Sequence, residues 1–288
     1  MKIAVASGKG GTGKTTVATN LAVLVRDYSD KRREIHFLDC DVEEPNAAIF
    51  LKPVIHNHEE VGIMVPEVNE DICTYCRRCS EVCVWHAIAV LPENILLFPE
   101  LCHGCGSCTH ICPVDAIIEK LNVTGSIESG TAGSISFAQG ILNVGEVMAP
   151  PVIRELKRKN LSSINSITII DASPGTSCPV VESIKDSDFV LLVTEPTPFG
   201  MHDLKLAVQL ARDELKLPVG IVINRDGIGD NSVDDFSAKE NIPVLGRIPF
   251  DRRIAEVISN GQLVIESLPE YRSHFEDIFR GIETVVKT

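Results

Sequence analysis

Eight of the ten cysteines in the chain stand in two runs that share one internal spacing. The first run is CTYCRRCSEVC, from Cys73 to Cys83, and the second is CHGCGSCTHIC, from Cys102 to Cys112. Disulfide frameworks belong to small secreted domains, whereas this chain has 288 residues, and its first apolar stretch, Ile3 to Ala6, is too short for a secretory leader. We therefore expect a cytoplasmic protein whose clustered thiols bind metal.

The spacing C-x2-C-x2-C-x3-C indicates which metal. It is the ligand run of bacterial two-cluster ferredoxins, in which three cysteines hold one cubane and the fourth ligates the other cluster. Zinc is the alternative, but zinc knuckles typically use two close pairs separated by a longer gap. The crossover predicts one [4Fe–4S] cluster on Cys73, Cys76, Cys79 and Cys112, and a second on Cys102, Cys105, Cys108 and Cys83.

Four thiolates on each cluster leave no iron open to a substrate, which favours electron transfer over Lewis-acid chemistry. The two runs differ at one flanking position, because Val84 follows the first run and Pro113 the second. This difference removes no ligand. Since the thiolates already fill both sites, we expect the neighbouring histidines to be surface or supporting residues; they are His86, His103 and His110.

A phosphate-binding loop follows the first apolar stretch, where residues 7–16 are SGKGGTGKTT. The stretch matches G-x-x-x-x-G-K-[ST] and lies between a predicted strand and a predicted helix, as that motif requires. Its backbone N–H groups and the following helix N-terminus favour phosphate oxygens, while Lys14 should contact the β- and γ-phosphates and Thr15 should ligate Mg²⁺. We therefore predict an ATP/ADP and Mg²⁺ site formed by Gly8, Gly10, Gly11, Thr12, Gly13, Lys14, Thr15 and Thr16.

Short apolar runs alternate with helical patterns along the rest of the chain. The predicted strands are Ile3–Ala6, Ile35–Leu38, Ser166–Ile170, Phe189–Val193, Val219–Ile223 and Val244–Ile248. The predicted helices between them include Thr15–Val25, Pro150–Lys159, Met201–Leu215 and Arg252–Ile258. Continuous apolar strands that alternate with helices predict an α/β fold with a mostly parallel sheet covered by helices on both faces.

The cysteine repeat falls between the second and third of these strands, so it is expected to be an insertion. We predict a small inserted α+β ferredoxin domain at residues 60–120, which divides the ATPase domain into residues 1–59 and 121–288. The segment from Thr124 to Gly140 is rich in glycine and serine and is expected to return from the insertion as a hairpin or a loop.

Charge and hydropathy argue against two classes of partner. The formal net charge is -13, and the longest basic block, Lys31-Arg32-Arg33, is expected in a solvated loop, so we predict no nucleic-acid binding. No run approaches the roughly 18 apolar residues of a membrane span. The last predicted helix, Phe275–Val286, has an apolar stripe and a mixed polar face, which favours packing on the core over binding to a membrane surface.

Several further segments resemble one ATPase family. The loop GKGGTGKTT, with Lys9 ahead of Lys14, resembles the deviant Walker A motif of the MinD/Mrp ATPases, which are relatives of the nitrogenase iron protein. The segments LDCDVEEPN (38–46), IIDASPGTSCP (169–179) and VINR (222–225) resemble that family's first switch, its Walker B strand with second switch, and its base-contacting segment. With the cysteine repeat, the chain is similar to the branch that carries an inserted ferredoxin domain.

The resemblance implies an ATP-sandwich dimer, either a homodimer or a heterodimer with a related ATPase, in which Lys9 reaches the phosphates held by the partner. By the same resemblance, Asp171 holds Mg²⁺ through water, Asp41 orients the attacking water and Asp39 supports the metal shell. Asn224 is expected to contact the adenine edge. Cys178 lies seven residues after Asp171, an interval that resembles the one before a cluster cysteine of the nitrogenase iron protein.

The function that follows is ATP binding and hydrolysis coupled to electron transfer, or to maturation of a metal centre in a redox or metalloprotein partner. One alternative is a spatial regulator of the cell-division type, in which the clusters are structural. Another is an iron–sulfur cluster carrier. Related carriers hold a labile cluster on cysteines outside any ferredoxin unit, and the only cysteines outside the two runs here are Cys40 and Cys178.

Overall fold

The computed structural model describes residues 1–28, 33–161 and 165–287. Its main sheet has nine strands in the order β11-β10-β9-β1-β8-β2-β7-β6-β3, and β4 and β5 form a separate hairpin. Strand pairing is parallel from β11 to β7 and antiparallel for β7-β6 and β6-β3. The strands are β1 (Lys2–Ala6), β2 (Glu34–Asp39), β3 (Val54–Val68), β4 (Ile88–Val90), β5 (Ile95–Leu97), β6 (Ile117–Ala132), β7 (Ile135–Leu142), β8 (Ser166–Asp171), β9 (Phe189–Thr194), β10 (Val219–Asp226) and β11 (Val244–Pro249).

Helices cover both faces of this sheet. They are α1 (Lys14–Tyr28), α2 (Ala47–Leu51), α3 (Arg78–Val82), α4 (Ser107–Ile111), α5 (Pro150–Asn160), α6 (Cys178–Ile184), α7 (Pro198–Val208), α8 (Ser232–Glu240), α9 (Arg252–Ser259), α10 (Val264–Ser267) and α11 (Arg272–Val286). The predicted helix Met201–Leu215 is α7 followed by a π-helical segment, Gln209–Glu214. The prediction of a mostly parallel α/β fold is confirmed.

The buried core has two layers because successive strand residues point to opposite faces. Ile3 and Val5 of β1 belong to the layer that contains residues of α1 and α11. Ala4 and Ala6 belong to the other layer, which contains residues of α5, α6 and α7. Both sides of the central strands are therefore apolar, which explains why these strands are continuous hydrophobic runs in the sequence.

Three strands of the main sheet, β3, β6 and β7, were not among the predicted strands. Most of the first half of β3 is exposed at the sheet edge, with the polar stretch HNHEE at residues 56–60, and a strand of this kind lacks a hydrophobic signal. Within the segment Thr124 to Gly140, β6 and β7 form the hairpin that was one of the two expected conformations. The β3-β6 ribbon continues past the sheet and carries residues 69–116 at its far end.

The last helix packs as expected: Phe275, Ile278 and Ile282 of α11 are buried in the core. Of the basic block, Lys31 and Arg32 lie outside the described residues, and Arg33 is exposed just before β2. Within the described ranges, no helix has the length and apolar character needed to cross a membrane.

Candidate functional site

A cavity of about 450 Å³ opens at the carboxyl ends of the parallel strands. One wall is the loop between β1 and α1, and the opposite wall follows the ends of β10 and β11. Six of the predicted nucleotide-binding residues line the cavity: Gly10, Gly11, Gly13, Lys14, Thr15 and Thr16. Because ligands in open α/β sheets bind outside the carboxyl ends of the strands, this is the expected place for a nucleotide.

Three positions in the loop require glycine, and the structural reason differs between them. Gly11 and Gly13 have φ of 78° and 93°, a region that favours glycine. A Cβ on Gly8 would lie 2.2 Å from the backbone oxygen of Asp203, so Gly8 lets the chain after β9 pass close to the loop. Thr12 is buried within the loop. Gly8 and Thr12 are not among the residues that line the cavity, and they contribute to the packing of the loop.

Lys14 lies in a cluster of buried carboxylates. Its Nζ is 3.1 Å from Asp171 Oδ1 and 3.3 Å from Asp41 Oδ2. Burial alone would lower the pKa of Lys14, but the carboxylates of Asp171 and Asp41 outweigh burial and raise it. The lysine is thus fixed in its charged form, and phosphate binding would compete with the two carboxylates for this ammonium.

Asp171 and Thr15 supply the oxygen groups that suit Mg²⁺. Asp171 is fully buried, and its Oδ2 has no hydrogen-bond partner among the described residues. Thr15 lines the cavity near the amino end of α1. Mg²⁺ prefers carboxylate, hydroxyl and water oxygens, so the chemistry of these two groups fits the ion, although Asp171 is not among the residues that line the cavity.

The two acidic residues of the first switch have different surroundings. Asp41 lines the cavity, and burial raises its pKa, with Lys14 opposing the shift. Asp39 is fully buried and accepts hydrogen bonds from the backbone N–H groups of Asp41, Asn46 and Ala47 at 3.0–3.1 Å. Burial, with the charge of Asp171, raises the pKa of Asp39 to about 8. Asp39 therefore organises the switch backbone and the start of α2, while its support of a metal shell stays a prediction.

Apart from Arg225, which belongs to the VINR segment, the far end of the cavity is formed by residues that the sequence did not single out. Phe250 and Asp251 follow β11, Arg225 lies near the end of β10, and Ile254 comes from α9. These residues could have been suspected from their position directly after two parallel strands, because the loops at the carboxyl ends of such strands border the ligand crevice. The predicted base-contacting residue Asn224 also lines the cavity, and its Nδ2 donates to the carbonyl oxygen of Thr12 at 2.7 Å. Its contact with adenine stays a prediction.

The cysteine unit, defined as residues 66–119, repeats its backbone geometry every 29 residues. Six residues with positive φ form three pairs, and the two members of each pair are 29 positions apart: Tyr75 and Gly104, Arg77 and Gly106, His86 and Asp115. Helices α3 and α4 occupy equivalent positions, and so do the antiparallel pairs Ile88↔Leu97 and Val68↔Ile117. The sequence repeat is thus also a structural repeat with two matching halves.

Thiols from the two runs lie near one another across the two halves. One small cavity is lined by Cys73, Cys76 and Cys79 of the first run together with Cys112 of the second. In the other half, burial raises the pKa of Cys102, and the nearby thiols of Cys105 and Cys83 act in the same direction. The charge of Cys102 in turn acts on Cys108, whose pKa burial raises.

Backbone amides point at equivalent sulfurs in both halves. The N–H of Tyr75 donates to Cys73 Sγ and that of Gly104 to Cys102 Sγ, both at 3.4 Å. The N–H groups of Ala87 and Ala116 donate to Cys83 Sγ and Cys112 Sγ, both at 3.3 Å. Such donors stabilise thiolate sulfur and tune iron–sulfur centres.

Two further observations concern the side chains around the thiols. Within the parts of the chain that the structure describes, no three His, Cys, Asp or Glu side chains converge on a point as ligands of one ion do. A four-iron cubane would bind each thiolate at a separate iron, and its presence here stays a prediction. The ring of His103 stacks on Trp85 with 3.6 Å between centroids, in keeping with the expectation that it is a surface residue.

A profile of the CobQ/CobB/MinD/ParA nucleotide binding domain matches residues 3–264. The chain belongs to this family. It is therefore a P-loop ATPase of the MinD/ParA type. The match runs through the cysteine unit, which lies inside the matched range.

Relatives of known sequence span almost the whole chain. An uncharacterized protein of Methanocaldococcus jannaschii is 32% identical over 296 residues, covering 98% of this chain and 97% of its own length. A protein of Pyrococcus horikoshii named iron-sulfur cluster carrier protein is 25% identical over 293 residues, covering 96% of this chain and 83% of its own.

Solved structures show the same fold. The cell division ATPase MinD of Pyrococcus furiosus superposes with a TM-score of 0.56 at 22% identity and covers 98% of both chains. The septum site-determining protein MinD of Pyrococcus horikoshii, solved with Mg-ADP, superposes with a TM-score of 0.54 at 21% identity, covering 96% of this chain and 93% of that one.

Lys9, Cys40 and Cys178, which the sequence analysis singled out, are not among the residues that line the cavity. Lys9 has a side chain one-third exposed, with Nζ 3.6 Å from Glu195 Oε2. Cys178 is exposed at the first position of α6, whereas Cys40 is buried, and burial raises its pKa. Thiol chemistry outside the cysteine unit is therefore accessible at Cys178 and suppressed at Cys40.

Proposed function

We propose that this chain is a Mg²⁺-dependent ATPase that couples nucleotide-driven dimer changes to electron transfer through two [4Fe–4S] clusters, or to maturation of a partner's metal centre. The observation that carries the proposal is the cavity lined by three cysteines of the first run and Cys112 of the second. A crossed ligand set is what a two-cluster ferredoxin requires and what a structural zinc site does not.

On the nucleotide side, the backbone of the loop and Lys14 bind the β- and γ-phosphates. Thr15 and Asp171 hold Mg²⁺, which neutralises charge on the phosphate oxygens when bound. Asp41 faces the same cavity and orients the attacking water. Lys9 is absent from the described lining of its own cavity and remains partly exposed, which suits a residue that acts on the nucleotide of a second subunit.

On the cysteine side, Cys73, Cys76, Cys79 and Cys112 would hold one cluster and Cys102, Cys105, Cys108 and Cys83 the other. Bound clusters would supply one-electron transfer at these positions, and the backbone amides that donate to the sulfurs would favour the thiolate form. The proposed domain is residues 60–120, and its limits lie close to a register shift in the β3-β6 ribbon between Val61 and Gly62.

A short hydrogen-bonded connection joins the two sides. The carbonyl oxygen of Val42, one residue after Asp41 in the first switch, accepts a hydrogen bond from the N–H of Leu142 at 2.8 Å. The next residue, Asn143, donates its N–H to Thr124 and its Nδ2 to Val123, both backbone oxygens of β6. These acceptors flank the register shift of the ribbon that carries the cysteine unit. A change in the switch thus reaches the base of the unit through three residues.

The two strands of the ribbon approach each other closely beside the register shift. A Cβ on Gly62 would lie 1.9 Å from the backbone oxygen of Asn122, so the two strands approach closely only because residue 62 is glycine. Bulges bend and twist a ribbon locally and are common beside active sites. The nucleotide state can therefore alter the orientation of the ribbon without breaking either of its strands.

Cluster carriage is the second candidate, and two facts favour it. Several relatives bear the name iron-sulfur cluster carrier protein. In addition, Cys178 is exposed within the second-switch segment, where a dimer would bring two such thiols together. Two thiols suffice to capture metal transiently but not to close a cubane. The spatial-regulator alternative is weaker, because α11 packs on the core with its apolar stripe.

The test is the metal content and its fate. Protein purified without oxygen should hold about eight irons per chain. Cys76→Ala and Cys105→Ala form a matched pair, each expected to lose the four-iron signal of one cluster and to keep the other. Zinc in place of iron, or one cluster after full reconstitution, would contradict the proposal. Iron that leaves for an acceptor protein upon ATP addition, with loss of this transfer in Cys178→Ala, would favour carriage instead.

A further inference from the structure

Glu195 is a buried carboxylate that contacts two cations at once. It follows β9, and its side chain is 9% exposed. One oxygen, Oε1, accepts a hydrogen bond from Arg225 Nη1 at 2.5 Å, and the other, Oε2, lies 3.6 Å from Lys9 Nζ. Neither the phosphate loop motif nor the switch segments include Glu195, so its place beside Lys9 is visible only in the fold.

The two cations differ in their surroundings. Arg225 lines the nucleotide cavity and is held at φ 54°, at an irregularity in the β10-β11 pairing. A non-glycine residue in this region is sustained only by its surroundings, and here the strained backbone directs the guanidinium to Glu195. The side chains of Lys9 and Arg225 are 33% and 48% exposed, so exposure does not make Lys9 the looser partner. The distances do, because Arg225 forms a direct hydrogen bond to Glu195 at 2.5 Å, whereas the Lys9 ammonium lies 3.6 Å away on a long, flexible side chain.

This asymmetry decides which cation can leave. A buried carboxylate without a partner is costly, whereas one that keeps a close guanidinium is not. Because Arg225 continues to pair with Glu195, Lys9 can depart at the cost of a single, partly exposed ion pair. Without Arg225, the departure of Lys9 would leave the carboxylate bare.

We infer that Glu195 is a positioning residue that holds Lys9 on its own subunit before dimerisation, and that Arg225 sets how readily Lys9 is released. The inference rests on the proposed function in one respect, which is the action of Lys9 on the nucleotide of a second subunit. It predicts that substitutions of Glu195 and Arg225 change the release of Lys9 in opposite directions. Removing the charge of Glu195 frees Lys9, and removing the charge of Arg225 holds it more tightly.

The holding contact itself is tested in the nucleotide-free chain, without any assay of dimers. The acylation rate of each lysine by an amine reagent is measured by mass spectrometry, with exposed Lys52 as the internal reference. In Glu195→Gln, Lys9 should react about two- to fivefold faster, the range expected for loss of a partly exposed ion pair. In Arg225→Gln it should react more slowly than in the wild type. An unchanged Lys9 rate in Glu195→Gln would overturn the inference.

The consequence is tested in ATP-dependent dimerisation, measured by analytical ultracentrifugation. Glu195→Gln should reach half-dimerisation at about two- to fivefold lower protein concentration, and Arg225→Gln at a higher one, with nucleotide affinity measured separately because Arg225 lines the cavity. If Glu195→Gln fails to fold, Glu195→Asp keeps the charge and shortens the side chain, so it should still release Lys9. Shifts of the same sign in both variants would contradict the inference. Dimerisation that persists in Lys9→Ala would instead refute the sandwich dimer of the proposed function, and the acylation result would stand independently.

Discussion

The nucleotide site and the cysteine unit are built in opposite ways. The nucleotide site lies at the ends of strands that are buried on both faces, and its charged groups are themselves buried, as Lys14 and Asp171 show. The cysteine unit has short helices, a two-stranded hairpin and a small core cluster whose buried members are Cys79, Ile88, Ile95 and Ile117. The first is organised by a large hydrophobic core and the second by local loop geometry. We therefore expect the first to be stable without its ligand and the second to depend on its metal.

Iron removal should give the largest difference in amide protection between the two regions. A segment of about fifty residues with so small a core usually needs a metal or disulfides to stay folded. After anaerobic chelation, backbone amides of residues 69–116 should exchange with solvent deuterium at rates close to those of an unfolded chain. Amides of β1 and β8 should keep their protection, and ADP affinity should be unchanged. Equal protection of residues 69–116 before and after iron removal would contradict this contrast.

Lys9→Ala should give the next largest effect, and only on the nucleotide side. A cation supplied to the transferring phosphoryl group in trans contributes about 10³–10⁵ in kcat in other P-loop enzymes. We expect Lys9→Ala to bind ATP normally, to lose hydrolysis by about 10³-fold and to lose ATP-dependent dimerisation. Steady-state hydrolysis and equilibrium binding measure the two quantities separately. Normal hydrolysis in the variant would exclude the sandwich arrangement.

Lys157 tests how strongly buried charge supports the sheet region. This lysine of α5 donates to three backbone oxygens near the end of α6, those of Glu182, Ser183 and Lys185, at 2.6–3.0 Å. Lys157→Met leaves those carbonyls without this donor and should lower the free energy of unfolding by about 3 kcal/mol. Lys159→Met, two residues along the same helix, is the matched control, since its partner Glu59 is exposed and the loss should be below about 1 kcal/mol. Equal losses in urea denaturation would contradict the assigned role.

The sequence predicted these two regions with different success for physical reasons. Apolar runs such as Phe189–Val193 predict buried strands because burial on both faces leaves a continuous hydrophobic signal. The cysteine spacing predicts crossed thiol sets, and the cavity lined by Cys73, Cys76, Cys79 and Cys112 is compatible with one of them. The strand β3 was missed because its exposed half at the sheet edge has no apolar pattern, and β6 and β7 were expected only as a hairpin or a loop because residues 124–140 are rich in glycine and serine. Glu195 and Phe250 were missed because their roles arise from strand order, which brings together residues far apart in the chain.

The central claim is that the nucleotide and the clusters are energetically coupled through the first switch, Leu142 and Asn143. The decisive measurement is an anaerobic redox titration of the clusters with no nucleotide, with ADP and with a non-hydrolysable ATP analogue, in the wild type and in Asn143→Ala. Couplings of about 1–3 kcal/mol are typical and correspond to a shift of roughly 40–130 mV for a one-electron couple. We predict a shift of this size in the wild type, a smaller one in Asn143→Ala, and a reciprocal change of nucleotide affinity on reduction. Superimposable potentials in all three nucleotide states, together with equal nucleotide affinities in both redox states, would contradict the claim.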